Sequence, residues 1–466
     1  MHYNLLPFRF TRVGHQEILV NEAGDWIAAP AGSVQRIVHR EVQREEELYK
    51  DLASRFFISE EPLPPLLDVL AARVRANKAF LDRFTSLHIF VPTLRCNSHC
   101  NYCQASSCGL SQQGFDITPR RLDRAVDLMF GSPSPSLTME FQGGEPTLVA
   151  PLVERAIERA LEINCDEKRS LSFVICSNCI DFPDELLAFC RLHGVTVSTS
   201  LDGPEALHDS GRGAGSYSRT LAGIHRVRET LGEDSVSPLA TITEAALDAG
   251  PAIVDAYRAA GFHRIFLRPL NPYGLAGGRR EWNLYNRRFV EFYKETLSYI
   301  LSLNRAGECF AEDFATLFLK RMLTPFSTGY VDMQSPAGII NSVALYNYDG
   351  KVYASDEARM LGRQGDDRFC LGTVDDDYQT LFYGPRTEQL ARLWCTEYIA
   401  GCSDCPWQTY CGADPVRNYT LQGDPYGHRP TSLLCARNDA IIRHLFSLLL
   451  HGEGELMPIF RNWLTQ

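Results

Sequence analysis

The pattern of hydrophobic and polar positions divides the chain into three stretches. In the middle one, short apolar runs alternate with amphipathic segments. The runs at 87–91, 137–142, 171–176, 194–200, 237–243 and 264–268 are rich in β-branched or large apolar residues and predict strands. Between them lie helical patterns. Thr118-Pro119 supplies an N-cap and a first-turn proline, followed by Leu122, Ala125, Val126 and Met129 at helical spacing. A second helix is expected from Pro151, with Leu152, Val153, Ala156, Ile157 and Ala160 on one face. A third is expected over 183–193, stopped by Gly194. Strands alternating with helices imply parallel βαβ units, and six of them imply an α/β fold, a partial (β/α)6 barrel. In such barrels the chemistry sits at the C-terminal strand ends.

Upstream, residues 15–38 read as strand, turn, strand and helix start. Residues 41–70 read as largely helical, with a break at Pro62-Leu63-Pro64-Pro65. Downstream, the periodicity is weaker and cysteines become frequent. Three domains are therefore expected: a small α+β domain at 1–80, the barrel at 81–310, and a cysteine-bearing domain at 311–466.

Composition narrows the function. The chain has 466 residues, 45% of them hydrophobic, and a net charge of −11, which argues against a nucleic-acid partner held through phosphates. No apolar run approaches the roughly 20 residues of a spanning helix. The first residues show no signal-peptide pattern. A cytoplasmic location without membrane partners is expected. Fifteen cysteines in a reducing compartment point to metal rather than disulfides.

The first predicted strand runs into Cys96, Cys100 and Cys103, spaced C-x3-C-x2-C. Three thiolates can hold three irons of a [4Fe–4S] cube, leaving the fourth iron open to a small-molecule ligand. The alternative is a zinc knuckle that borrows a fourth ligand such as His99. The second strand ends in Gly143-Gly144-Glu145-Pro146. The glycines would let a ligand approach the backbone, and Glu145 would accept a charge-assisted hydrogen bond from an ammonium group. Ser177-Asn178 ends the third strand; Ser200 and Asp202 lie at the end of the fourth. These polar residues either line a cofactor or simply make turns. Arg212 either pairs with a carboxylate or is a solvated loop residue. No residue is singled out as a catalytic acid, base or nucleophile.

These motifs resemble the radical S-adenosylmethionine (SAM) superfamily, and 87–275 resembles its branch that matures peptides and proteins, including the anaerobic sulfatase-maturing enzymes. The resemblance implies a SAM-binding [4Fe–4S] cluster on Cys96, Cys100 and Cys103. It also implies SAM contacts from Gly143, Gly144, Glu145, Ser177, Asn178, Ser200, Asp202 and Arg212, and a 5′-deoxyadenosyl radical acting on a bound polypeptide. Cys402-x2-Cys405-x5-Cys411 with Cys435 resembles the SPASM extension and implies an auxiliary [4Fe–4S] cluster; a zinc ribbon is the alternative reading. Two departures from that pattern stand out. Gly412-Ala413-Asp414-Pro415 follows Cys411 where a further cysteine is usual, and no thiol follows the Asp349-Gly350 turn. Cys370 and Cys395 remain as ligands of a reduced second site, or as inert buried thiols. The stretch from Cys411 through Gly427-His428-Arg429-Pro430-Thr431-Ser432 resembles the maturase of the His-Xaa-Ser peptide system. That implies a precursor peptide, an electron donor such as a flavodoxin or ferredoxin, and a second radical SAM maturase as partners. The N-terminal segment resembles a small winged domain that binds leader peptides; a structural cap over the barrel is the other reading.

Overall fold

The computed structural model describes residues 3–278, 281–338 and 342–465. The N-terminal segment opens with β1 (Asn4–Leu5), β2 (Phe8–Val13), β3 (Gln16–Asn21), β4 (Trp26–Pro30) and β5 (Ile58–Ser59). β2, β3 and β4 form an antiparallel sheet in that order, and β1 pairs with β5. Leu19, Ile27, Val34, Ile37, Leu52 and Phe57 close a small core of their own here. β2 was not expected; it pairs along the whole of β3. The proline-rich stretch starts a helix rather than breaking one. Leu63–Asn77 carries its prolines in the first turn, where a missing N–H has no consequence.

The barrel strands are β6 (Leu87–Thr93), β7 (Ser136–Gly143), β8 (Ser170–Cys176), β9 (Thr196–Ser200), β10 (Val236–Ile242) and β12 (Leu267–Pro269). They are parallel and lie side by side in chain order. Helices Pro119–Phe130, Ala150–Glu167 and Asp184–His193 connect them, the first capped by Thr118 and the third ended by Gly194. Period-2 patterning decides the faces. Leu137, Met139 and Phe141 of β7 are buried, whereas Glu140 and Gln142 line a cavity. The sixth predicted strand is divided. β11 (Arg264–Ile265) pairs with β13 (Ala311–Glu312), and only β12 joins the barrel.

The sheet does not stop at the barrel. β14 (Val343–Tyr346) adds to the free edge of β6 in parallel, and β15 (Lys351–Tyr353) and β16 (Cys370–Thr373) follow antiparallel, giving nine strands. Asn347 through Gly350 makes the turn between β14 and β15, with Gly350 at positive φ as Asp-Gly predicts. One hydrophobic core runs from the barrel into the C-terminal helices. Among the described residues no helix is long and apolar enough to cross a membrane.

Candidate active site at the strand ends

The loop after β6 carries the first three cysteines, and its backbone is fixed on several sides. Gly144 and Glu145 donate to the carbonyls of Thr93 and Arg95, both at 2.9 Å. Cys96 N–H donates to Cys108 O at 2.9 Å, and Cys108 N–H to Leu94 O at 2.8 Å. Leu275 N–H, from the loop beyond β12, reaches Cys103 O at 2.9 Å, and Asn101 N–H reaches Gly211 O at 2.9 Å. The two glycines after β7 thus serve a purpose beyond the expected one. A Cβ on Gly143 would lie 2.3 Å from Thr93 O, and one on Gly144 2.2 Å from Arg95 O. They admit the cysteine loop to the strand end.

Each of the three thiols has a polar neighbour. Ser98 N–H donates to Cys96 Sγ at 3.4 Å, Ser107 Oγ lies 3.3 Å from Cys103 Sγ, and the Arg212 guanidinium is 3.9 Å from Cys100 Sγ. Burial pushes Cys96 up to about 12 and raises Cys100, and the neighbouring thiols add to it. Such thiols stay protonated until a metal displaces the proton. Soft, buried, hydrogen-bonded sulfurs are the donor set that iron–sulfur clusters use.

The polar residues at the other strand ends are largely occupied by the protein. Glu145 is buried; its carboxylate accepts from Asn178 N–H at 2.9 Å and from Thr147 Oγ1 at 2.8 Å. Burial raises its pKa, against the pull of these bonds. The side chain expected to face an ammonium group is therefore turned inward, tying β7 to β8. Asn178 continues the tie, donating to Asn97 Oδ1 at 2.7 Å and to Ser98 Oγ at 3.1 Å in the cysteine loop. Ser177 Oγ accepts from Cys179 N–H at 3.0 Å. Ser200 is half-buried at the end of β9. Asp202 is buried and bonded by Arg212 Nε at 2.7 Å, by Thr241 N–H at 3.1 Å and by the Tyr102 hydroxyl. Arg212 does pair with a carboxylate, that of Asp202, and is no solvated loop residue; its guanidinium also lies over the Tyr102 ring at 5.4 Å. Tyr102, Asn97 and Ser98 drew no attention as sequence because a cysteine motif masks the residues between its ligands.

A second thiol group lies in the C-terminal region. Cys402, Cys405, Cys411 and Cys435 line one small cavity of about 100 Å³ with Trp407, Leu434 and Ile442. Arg429 Nη1 is 3.7 Å from Cys402 Sγ, and Asn438 Nδ2 is 3.3 Å from Cys411 Sγ. Burial and neighbouring groups push Cys402 up to about 11 and Cys405 to about 12. Cys370 and Cys395 are not brought into this group. Cys370 Sγ lies against Val352 O and Gly372 O at 3.5 and 3.4 Å, and the charges near Cys395 are Glu397 and Lys78. Neither lines the four-thiol cavity, so the reduced second site gains no geometric support.

A cavity of about 1080 Å³ lies on the inner face of the sheet; none of the cysteines of the two thiol groups lines it. Leu87, Ile89, Glu140, Gln142, Leu239 and Arg268 line its strand wall. Asp332, Asp356 and Glu357 line the opposite wall. The carbonyl of Asp332 abuts Gly412, next to Cys411, where a Cβ would come within 1.9 Å.

Residues 90–242 match the family described as the radical SAM superfamily. The chain carries a radical SAM domain. Radical SAM proteins use a [4Fe–4S] cluster and SAM. An uncharacterized protein of Methanothermobacter thermautotrophicus is 24% identical over 222 residues, 47% of this chain and 80% of the relative. Among solved structures, native anSMEcpe with bound AdoMet superposes with a TM-score of 0.65 at 17% identity, covering 81% of this chain and 99% of the other. SuiB of Streptococcus suis bound to precursor peptide SuiA superposes at 0.53 with 13% identity, covering 93% and 100%. At such identities the likeness concerns the fold.

Proposed function

We propose that this protein modifies side chains of a ribosomally made peptide by radical SAM chemistry, with Cys96, Cys100 and Cys103 holding the SAM-binding cluster. When bound, that cluster supplies the electron that breaks a C–S bond of SAM and yields a 5′-deoxyadenosyl radical. The protein's part is to hold the cysteine loop rigid through Gly143, Gly144, Glu145 and Asn178. Ser177, Ser200, Asp202 and Arg212 shape the strand ends around SAM. The observation that carries the reading is the position of the large cavity. Of its lining, Gln142 directly precedes Gly143, which packs against Thr93 before the first thiol loop, and the carbonyl of Asp332 abuts Gly412 beside Cys411.

Cys402, Cys405, Cys411 and Cys435 are assigned to a closed auxiliary [4Fe–4S] cluster. Among the described residues no three His, Cys, Asp or Glu side chains converge as they would on a single zinc ion, and His99 is exposed. Reductive radical chemistry next to these thiols favours iron over zinc. The substrate is read as a His-Xaa-Ser precursor, with a flavodoxin or ferredoxin as electron donor, a second maturase as partner and a cytoplasmic setting. Domains at 1–80, 81–310 and 311–466 would divide recognition, radical generation and the auxiliary cluster. In the first, both outer strands of the β2–β3–β4 sheet meet an arginine: Arg443 donates to Arg12 O and Arg55 to Trp26 O, both at 2.6 Å; peptide addition at a strand edge therefore gains no support from either. SuiB is a structural neighbour bound to its precursor peptide, which supports a peptide substrate.

The test is anaerobic incubation of the reduced protein with SAM and a His-Xaa-Ser repeat peptide, followed by mass spectrometry. The expected result is 5′-deoxyadenosine formed together with a peptide of altered mass. An aldehyde at Cys or Ser would instead favour sulfatase-type maturation. Absence of 5′-deoxyadenosine would leave a non-catalytic peptide carrier.

A further inference from the structure

The charges of the large cavity do not balance. Several of its acids have partners: Asp313 pairs with Arg264 at 2.7 Å, Glu233 with Arg228 at 3.6 Å, and Asp356 with Arg359 at 2.8 Å. Asp234 also lines the cavity but is exposed to solvent; Glu140, Asp332 and Glu357 remain, and the cation among them is Arg268, 3.8 Å from Glu357. Glu140 accepts only from neutral or weak donors, the Gln142 amide and the Cys176 thiol. Asp332 exposes its side chain, but into the cavity, with protein around it. A cavity of one dominant sign with low-dielectric walls concentrates its field and attracts the opposite charge. Arg268 is one guanidinium against three carboxylates, and a second cation that enters relieves the cost of the excess negative charge.

A tyrosine outside the cavity's lining, but within reach of the charges of Asp332 and Glu357, is also unsatisfied. Tyr273 is fully buried, and its hydroxyl has no hydrogen-bond partner among the described residues. The charges that act on it are those of Asp414, Glu357, Arg417 and Asp332. Buried hydroxyls without partners are rare and point to a missing ligand group or water.

We propose that this cavity selects a cationic side chain of the peptide, an ammonium or a guanidinium, which enters between Glu140 and the Asp332–Glu357 pair. The proposal rests on the peptide reading above and adds the charge of the residue that enters the barrel. Burial, with Asp332 and Asp356 nearby, holds Glu357 up at about 7, so the carboxylates are best probed at pH 8.

The experiment uses the full-length, cluster-reconstituted protein with SAM at pH 8. The probes are fluorescent peptides of three His-Ala-Ser repeats whose central His is replaced by Lys, norleucine or Glu. Binding is read by anisotropy. The Lys peptide should bind about tenfold tighter than the norleucine peptide, and the Glu peptide weakest. Asp332→Asn with Glu357→Gln should bring Lys and norleucine within about twofold of each other. Arg268→Gln, which removes the competing cation, should widen the gap. Circular dichroism of each variant separates misfolding from lost recognition, and the opposite signs of the two changes cannot both arise from misfolding. Equal affinity for Lys and norleucine in the wild type overturns the cation proposal while leaving peptide binding intact. Preference for the Glu peptide would make Arg268 the recognition group and overturn it as well. If no peptide binds, the peptide reading fails and this proposal fails with it.

Discussion

The two cysteine groups are built by different means. The group at Cys96, Cys100 and Cys103 rests on a loop with little core of its own, held by backbone bonds from the ends of β6 and β7 and from the loops beyond β9 and β12. The group at Cys402, Cys405, Cys411 and Cys435 surrounds a small, largely apolar cavity closed by Trp407, Leu434 and Ile442. Three thiols leave one metal position of a cube open, and four leave none. Under the proposed function, the difference would separate a site where chemistry starts from one that stores or passes an electron.

The most severe way to break the comparison is to remove the first group. Cys96, Cys100 and Cys103 replaced together by Ala should abolish 5′-deoxyadenosine production, measured by liquid chromatography, while the fold survives because these residues lie beyond β6 rather than in it. The reciprocal change is Cys402→Ser with Cys411→Ser. It should lower peptide product by about 100-fold or more, roughly 2.7 kcal/mol or more of barrier, yet leave uncoupled SAM cleavage within a few-fold. Equal loss of both activities would show that the two groups are not separable.

Smaller changes sharpen the contrast at the first site. Gly144→Ala places a methyl group against Arg95 O and must displace the cysteine loop. Overpacking of this kind costs about 1–3 kcal/mol, and iron analysis should show loss from the open site alone. Glu145→Gln keeps the shape but turns one acceptor into an NH2 group facing the N–H and O–H donors of Asn178 and Thr147. A charge-assisted hydrogen bond is worth about 1.5–3 kcal/mol. Because those bonds lie within the protein, the loss should appear as a lower Tm, with SAM affinity by calorimetry changed by less than about threefold. A loss of affinity of about tenfold or more would show that Glu145 meets SAM directly.

The least effect is expected beneath both sites, at His88. It is fully buried on β6, stacked on Tyr346, with Nδ1 3.1 Å from the Tyr346 hydroxyl. Burial lowers its pKa from 6.5 to about 3. Below pH 6.5 the unfolded chain takes up a proton that the folded one refuses, so this contribution to stability is present above 6.5 and is lost as pH falls toward 3. Between pH 6.5 and pH 5 the loss is about 2 kcal/mol. His88→Asn should flatten the fall in Tm over that interval relative to wild type.

Much of this was legible in the chain because local signals agreed. Thr118-Pro119, Gly194 and Asp349-Gly350 each mark an element boundary by their own backbone chemistry, and all three do so in the fold. The C-x3-C-x2-C spacing located the first thiol group. Other features were set by tertiary contacts that spacing does not encode. Nothing local in Val343–Tyr346 says that it pairs with β6, more than 250 residues earlier. The inward turn of Glu145 depends on Asn178, and the pairing of Arg212 depends on Asp202. Glu140 and Gln142 could have been found from their polar alternation within an otherwise apolar strand. Asp332 and Glu357 carried no such signal.

The central claim is that the two thiol groups hold two separate iron–sulfur cubes, one open and one closed. Anaerobic iron and sulfide analysis with Mössbauer spectroscopy, on the wild type and on the variant with Cys96, Cys100 and Cys103 replaced by Ala, tests it directly. The account predicts about eight irons per chain in the wild type and about four in the variant, at about four per cube. Zinc in the variant, or about eight irons retained there, would contradict it.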